Sequence, residues 1–143
     1  MDAMEAKAVG AEVRSLARAA RQAARRAHAP YSDFPVGVAL EDGRGKVFVG
    51  ANIENASFPL GLCAERVALQ SWKQAAGRAL RRVVIYTATG EPTTPCGLCR
   101  EALRAWAPQA QVFLAFRGGI SGPWAPESWL PGHGLTPAGR RSR

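Results

Sequence analysis

The order of apolar patterns along this chain predicts an α/β domain, a three-layer α/β/α sandwich with a mixed sheet of about five strands. Three observations carry that expectation. Two short β-type runs flank a Gly-rich turn early in the chain. Two later β-type runs are separated by a helical pattern. A further helical pattern stands before each of these groups. Adjacent runs joined by a tight turn pair antiparallel, whereas runs joined through a helix pair parallel, so one sheet holds both kinds of neighbour.

The elements follow in order. Over residues 4 to 28, Val9, Val13, Leu16, Ala20 and Ala24 recur at spacings of three or four, which places them on one helical face. Arg14, Arg18, Arg21 and Arg25 form a second stripe, readable as a phosphate-binding ridge or, in the reading preferred here, as the solvated side of an amphipathic helix. Pro30 closes this helix, because the residue before a proline is pushed out of the α region. Val36 to Leu40 and Lys46 to Val49 are strands around the turn Glu41-Asp42-Gly43-Arg44-Gly45. A second helix covers about residues 64 to 76, with Ala68, Leu69, Trp72 and Ala76 on one side. Val83 to Tyr86 is a third strand, Gly97 to Trp106 a third helix and Val112 to Phe116 a fourth strand. The segment ISGPWAPES holds a fifth, irregular strand. The whole of residues 1–143 is expected to be a single domain, with a loose tail after about residue 136.

Composition narrows the function classes. MDAMEAKAVGAEVRS has no apolar leader, and no run of about eighteen apolar residues occurs, so the expectation is a cytoplasmic protein with no membrane partner. Three cysteines cannot close a disulfide framework and point to reduced thiols. The net charge of +8 raises the question of a nucleic-acid partner. Only Lys7, Lys46 and Lys73 break a run of arginine among the nineteen cationic residues, and the charge is spread along the chain. That pattern fits a compositional bias better than a polyanion site, and nucleic-acid binding is disfavoured.

The cysteines are where chemistry concentrates. Cys96-Gly97-Leu98-Cys99 is a C-x-x-C in the first turn of a helix, and Cys63 opens another helix. A helix N-terminus offers free N–H groups and a positive dipole end, which lower a thiol's pKa. Three thiolates gathered at two such ends suit Zn²⁺ with its fourth position open, the arrangement of a catalytic rather than a structural zinc. A redox pair and plain apolar packing are the alternatives. Glu65 lies two residues after Cys63, about 200° round the helix but only ~3 Å along it. Its carboxylate can therefore reach the fourth position without binding the metal and act as a general base there. It can equally be an acid that simply favours a helix start.

Cys63-Ala64-Glu65 followed by Pro95-Cys96-Gly97-Leu98-Cys99 has the spacing of a zinc deaminase signature in all-cysteine form. With NIENASFPLG directly upstream and YSDFPVGVAL before it, the chain resembles the small, homotetrameric, zinc-dependent cytidine deaminases. The resemblance extends from about YSDFPVGVAL to the fourth strand and, more weakly, to ESWLP.

The resemblance implies a fold of cytidine deaminase type and hydrolytic deamination of cytidine and deoxycytidine in pyrimidine salvage. It implies Cys63, Cys96 and Cys99 as zinc ligands and Glu65 as the proton shuttle. Asn52 and Glu54 match the pair that grips the ribose hydroxyls, Phe34 the aromatic that packs on the pyrimidine, and the Ala64 backbone N–H a contact to the base. Arg66 matches an arginine that bonds the ligand thiolates. Alternatives are a deaminase of the same fold acting on another cytosine compound, such as a nucleoside antibiotic or a polynucleotide, and a non-catalytic zinc module. Two departures stand out. Phe58 replaces a frequent tyrosine, and Gly132-His133-Gly134-Leu135 occupies the place of a phenylalanine that reaches a neighbouring subunit's site. His133 reads either as a replacement ring or as a surface-loop histidine.

Overall fold

The computed structural model describes residues 9–129. In chain order the elements are α1 (Ala11–Ala24), β1 (Val36–Asp42), β2 (Val47–Ala51), α2 (Ala64–Gln74), β3 (Leu80–Thr87), α3 (Gly97–Trp106), β4 (Gln111–Phe116) and β5 (Gly119–Trp124). The strands form one sheet in the order β2-β1-β3-β4-β5. β1 runs antiparallel to both β2 and β3, β3 and β4 are parallel, and β5 returns antiparallel to β4. The parallel pair is the one whose connection passes through a helix, as such a pair requires.

Successive strand residues point to opposite faces, and the sequence gives each face its own core. Val38, Leu40, Val83, Ile85, Val112 and Leu114 face α2 and α3, where they meet Ala68, Leu69, Trp72 and Leu103. Ala39, Val84, Phe113 and Ala115 face α1 and meet Val13, Leu16 and Ala20. The helices lie close because two glycines permit it. A Cβ on Gly37 would stand 1.9 Å from the Ala20 carbonyl oxygen of α1. A Cβ on Gly50 would stand 2.6 Å from the Ala68 nitrogen and 2.7 Å from the Ala64 oxygen of α2. Among the described residues no helix is long and apolar enough to cross a membrane.

Several boundaries differ from the sequence pattern. α2 ends at Gln74 rather than near residue 76, and Ala76, expected on its packed side, is exposed and has left the helix with φ 50°. α1 ends at Ala24 rather than near residue 28. The Arg26 and Ala27 N–H groups bond back three residues, to Ala23 and Ala24, and tighten the last turn. His28 has by then left the helix: its N–H donates to the Asn52 carbonyl at 2.9 Å, and its carbonyl accepts from the Glu54 N–H at 2.8 Å. The start of the same pattern falls on residues 4 to 8, outside the described residues. β1 continues through Asp42, which was expected in the turn, because its carboxylate is fully buried. Asp42 Oδ1 accepts from the Arg44 and Lys46 N–H groups, and Oδ2 from that of Arg78. Burial opposes ionisation of this carboxyl, but the three backbone donors prevail and lower its pKa. β5 is irregular, as expected, with a register shift against β4 and a cis Gly122–Pro123 bond.

Candidate metal centre and active site

The local sequence puts two cysteines at helix caps. Cys63 is the N-cap of α2 and Cys96 the N-cap of α3, both in extended backbone conformation. Cys99 follows in the first turn of α3, three residues on and so on the same side as Cys96. The three thiols, half-buried, exposed and buried in that order, are free. All three Sγ atoms lie within 4.8 Å of one another, with Cys63 and Cys96 at 3.6 Å. Three sulfurs held about 2.3 Å from one ion at tetrahedral angles stand about 3.8 Å apart, so the cluster fits zinc.

The electrostatics match that use. Contact with the Cys99 thiol, together with Arg66, lowers the Cys63 pKa to about 5 against the opposing effect of burial. Cys99 is pushed upward by the same contact, by burial and by Glu65. The Cys63 thiolate is thereby favoured, and a dication bound to the cluster would favour the thiolate form of its ligands. Arg66 Nη2 lies 3.7 Å from Cys63 Sγ, and its buried Nε has no hydrogen-bond partner among the described residues.

Glu65 is buried at 5% exposure beside this cluster, and burial raises its pKa. It faces a cavity of about 400 Å³ that also exposes Cys63, Ala64 and Cys96, with Ile85 and Thr87 of β3 and Phe34 around it. Ala64 is the first residue of α2, where a backbone N–H has no intrahelical acceptor. Phe34, 38% exposed, also lines the cavity.

Asn52 and Glu54 line the same cavity and are also fastened to the segment before β1. Asn52 Oδ1 accepts from the Val36 N–H at 2.8 Å, and its Nδ2 donates to the Phe34 carbonyl at 2.9 Å. Glu54 Oε1 accepts from the Tyr31 and Ser32 N–H groups, each at 3.0 Å, and Oε2 accepts from the Ser32 hydroxyl. The Ser32 hydroxyl and N–H bonds are the main cause of a lowered Glu54 pKa.

The structure therefore gathers Phe34, Asn52, Glu54, Cys63, Ala64, Glu65 and Cys96 around one cavity, with Cys99 buried in the thiol cluster and Arg66 beside the Cys63 sulfur. Gly132 to Leu135, including His133, lie outside the described residues. Two contributors were not expected. Ser32 anchors Glu54, and nothing local in YSD marks it for that task. Arg100, directly after the C-x-x-C, donates from Nε to the Pro95 carbonyl at 2.7 Å and from Nη2 to Thr94 Oγ1 at 2.9 Å. It thereby holds the loop that delivers Cys96.

A family model described as the cytidine and deoxycytidylate deaminase zinc-binding region matches residues 11–115. Over 100 residues the chain is 41% identical to a cytidine deaminase of Halalkalibacterium halodurans, covering 69% of this chain and 76% of that one. A cytidine deaminase of Sporosarcina psychrophila is 35% identical over 92 residues, 64% of this chain and 68% of the relative. Among solved structures, a cytidine deaminase from Burkholderia pseudomallei superposes with a TM-score of 0.77 at 38% identity, covering 82% of this chain and 95% of that one. One from Mycobacterium leprae gives 0.71 at 32% identity, over 85% and 99% of the two chains. The matched stretch contains all three thiols and the buried carboxylate, and on that match the chain belongs to the cytidine and deoxycytidylate deaminase zinc-binding family.

Proposed function

We propose that this chain hydrolytically deaminates cytidine and deoxycytidine, giving uridine and deoxyuridine with release of ammonia. One observation carries the reading: three thiols lie within 4.8 Å of one another, and two of them, Cys63 and Cys96, open onto the same cavity as a buried carboxyl whose pKa burial raises. Cys63, Cys96 and Cys99 hold the zinc. Bound there, the ion supplies Lewis-acid activation of a water near neutral pH.

The chain's own groups do the rest. The oxygen of water bonds to ring C4, the C4–N bond breaks, and Glu65 moves the protons, first to ring N3 and then to the departing amino nitrogen. Burial suits Glu65 to this task, because a carboxyl with a raised pKa holds a proton long enough to hand it on. Phe34 packs on the pyrimidine, and the Ala64 N–H bonds the base. Asn52 and Glu54 grip the ribose hydroxyls while still fastening residues 31 to 36. An amide offers two N–H donors and two lone pairs, and Asn52 makes one bond with each end. A carboxylate offers about four acceptor sites, of which Glu54 uses three. Each keeps capacity for a hydroxyl. Arg66 offsets the net −1 of three thiolates on a dication.

The working unit is a homotetramer of single-domain chains in the cytoplasm. Phe58 at 86% exposure and Leu60 at 68%, beside the mouth of the site, support a covering subunit.

Zinc content and ammonia release measured on one purified sample test the reading. About one zinc per chain with turnover of cytidine is expected, and Glu65→Ala should keep the zinc while activity collapses. Stoichiometric zinc with no turnover of any cytosine nucleoside would leave a non-catalytic zinc module instead. Near-parental turnover by Glu65→Ala would remove that residue from the mechanism.

A further inference from the structure

The arginine stripe on α1 has no part in the deaminase site. Arg14 turns back to donate to the Val9 carbonyl. Arg18 and Arg21 instead border a cleft of about 270 Å³ between α1 and the C-terminal ends of β3 and β4. Three residues apart on the helix, they share a face. Arg117, in the turn between β4 and β5, is a third arginine lining the same cleft. No Asp or Glu lines this cleft, and among the described residues none of these three arginines has an ion-pair partner. Two rings complete it. Tyr86 lies under Arg21, whose guanidinium carbon is 6.0 Å from the ring centroid, and Phe116 stands beside Arg117.

Three like charges around one concavity repel one another unless an anion joins them. Guanidinium forks match phosphate oxygens in geometry as well as charge. Aromatic faces beside such a trio accept a nucleobase by stacking. The volume falls just under the range usual for small-ligand pockets, which suits one nucleotide unit. The rest of the stripe carries no aromatic residue, so no stacking platform continues along α1 for a strand.

We propose that this cleft is a second binding site, specific for a nucleoside monophosphate. Arg18, Arg21 and Arg117 hold the phosphomonoester, and Tyr86 and Phe116 hold the base. The site is separate from the deaminase cavity. Tyr86 faces the α1 side of β3, whereas Ile85 and Thr87 line the cavity on the other side. The proposal does not depend on the deaminase reading.

The test titrates the zinc-loaded full chain with uridine 5′-monophosphate, inorganic phosphate, uridine and a single-stranded oligonucleotide, followed by calorimetry. Saturable 1:1 binding of the monophosphate is expected. Arg21→Gln and Arg117→Gln should each weaken it by about tenfold, the loss of one charge-assisted contact. Arg117→Lys should fall between Gln and wild type, because it keeps the charge and loses the fork. Tyr86→Leu should weaken the monophosphate and leave phosphate unchanged. Cytidine turnover should stay within about twofold in all of these, since none touches the reacting atoms.

No saturable monophosphate binding up to about 10 mM would overturn the proposal, as would undiminished binding by the Arg21→Gln, Arg117→Gln double variant. Phosphate binding as tightly as the monophosphate would reduce the cleft to an adventitious anion site and remove the role of the rings. Affinity that grows with oligonucleotide length would make it a polynucleotide surface instead.

Discussion

Two parts of the deaminase cavity are built in opposite ways. On the zinc side, the side chains are placed by helix caps and make few other bonds: the thiols touch one another and Arg66. On the nucleoside side, Asn52 and Glu54 are the fasteners of the chain itself, each holding backbone of residues 31 to 36 across at least sixteen positions of sequence. The first group keeps its chemistry free for an ion. The second spends most of its hydrogen-bonding capacity on the fold and keeps the remainder open to the cavity. Loss of function should therefore take two forms, chemical failure on one side and loosened shape on the other.

The largest effect is expected on the zinc side. Cys99→Ala removes the fully buried thiol of the cluster and should abolish both stoichiometric zinc and turnover, a fall of at least about 10³-fold in kcat. Zinc analysis alongside the kinetics checks it, and a variant that stays fully loaded would break the contrast. Asn52→Ala should behave differently: zinc is retained, the protein loses about 1–3 kcal/mol of stability in urea unfolding, and KM rises more than kcat falls. A pure KM effect at unchanged stability would show that the loop does not need the amide.

Ser32→Ala is the milder version. Removing one donor from Glu54 should cost about 1 kcal/mol or less and raise KM a few-fold, with zinc unchanged. The smallest effect is in pH. Glu54 is lowered from an ordinary value of 4.5, chiefly by the Ser32 hydroxyl, so its contribution to stability is full above that value and is lost as pH falls through its lowered pKa. Glu65 is raised from the same ordinary value, so its charged form costs stability as pH climbs through its own pKa. Melting curves between about pH 3 and 7 should show a shallower acid limb in Glu54→Gln, and an unchanged limb would remove Glu54 from the clamp.

The same contrast explains what could be read from residues alone. The three thiols and Glu65 were legible because their placement is local: a helix start, a three-residue spacing and a dipole suffice. The start of α2 and both borders of α3 were legible for the same reason, whereas α2 stops two residues before the expected end. Ser32 and Arg100 were not, since each acts by meeting a backbone or side-chain atom that only the folded loops bring near. The early end of α1 has a similar cause, because His28 is drawn away by Asn52 and Glu54. Asp42 carried the look of a turn residue, and only its burial under the Arg78 N–H reveals an extended strand. The arginine stripe is a different case: the opposing turn that carries Arg117 to the same cleft could not be seen from the helix alone.

Gly50 gives the molecule a ruler. It lies in a strand, far from any thiol in function, yet the atoms that crowd it belong to the first turns of α2 just after Cys63. The reach of that thiol toward Cys96 and Cys99 is calibrated by the absence of a single methyl group one layer below. A helix lifted by even a fraction of an ångström would spread the sulfurs, and wider sulfur triangles favour larger thiophilic ions. Discrimination between zinc and such an ion would then be set partly in the sheet, at a residue that touches none of the sulfurs.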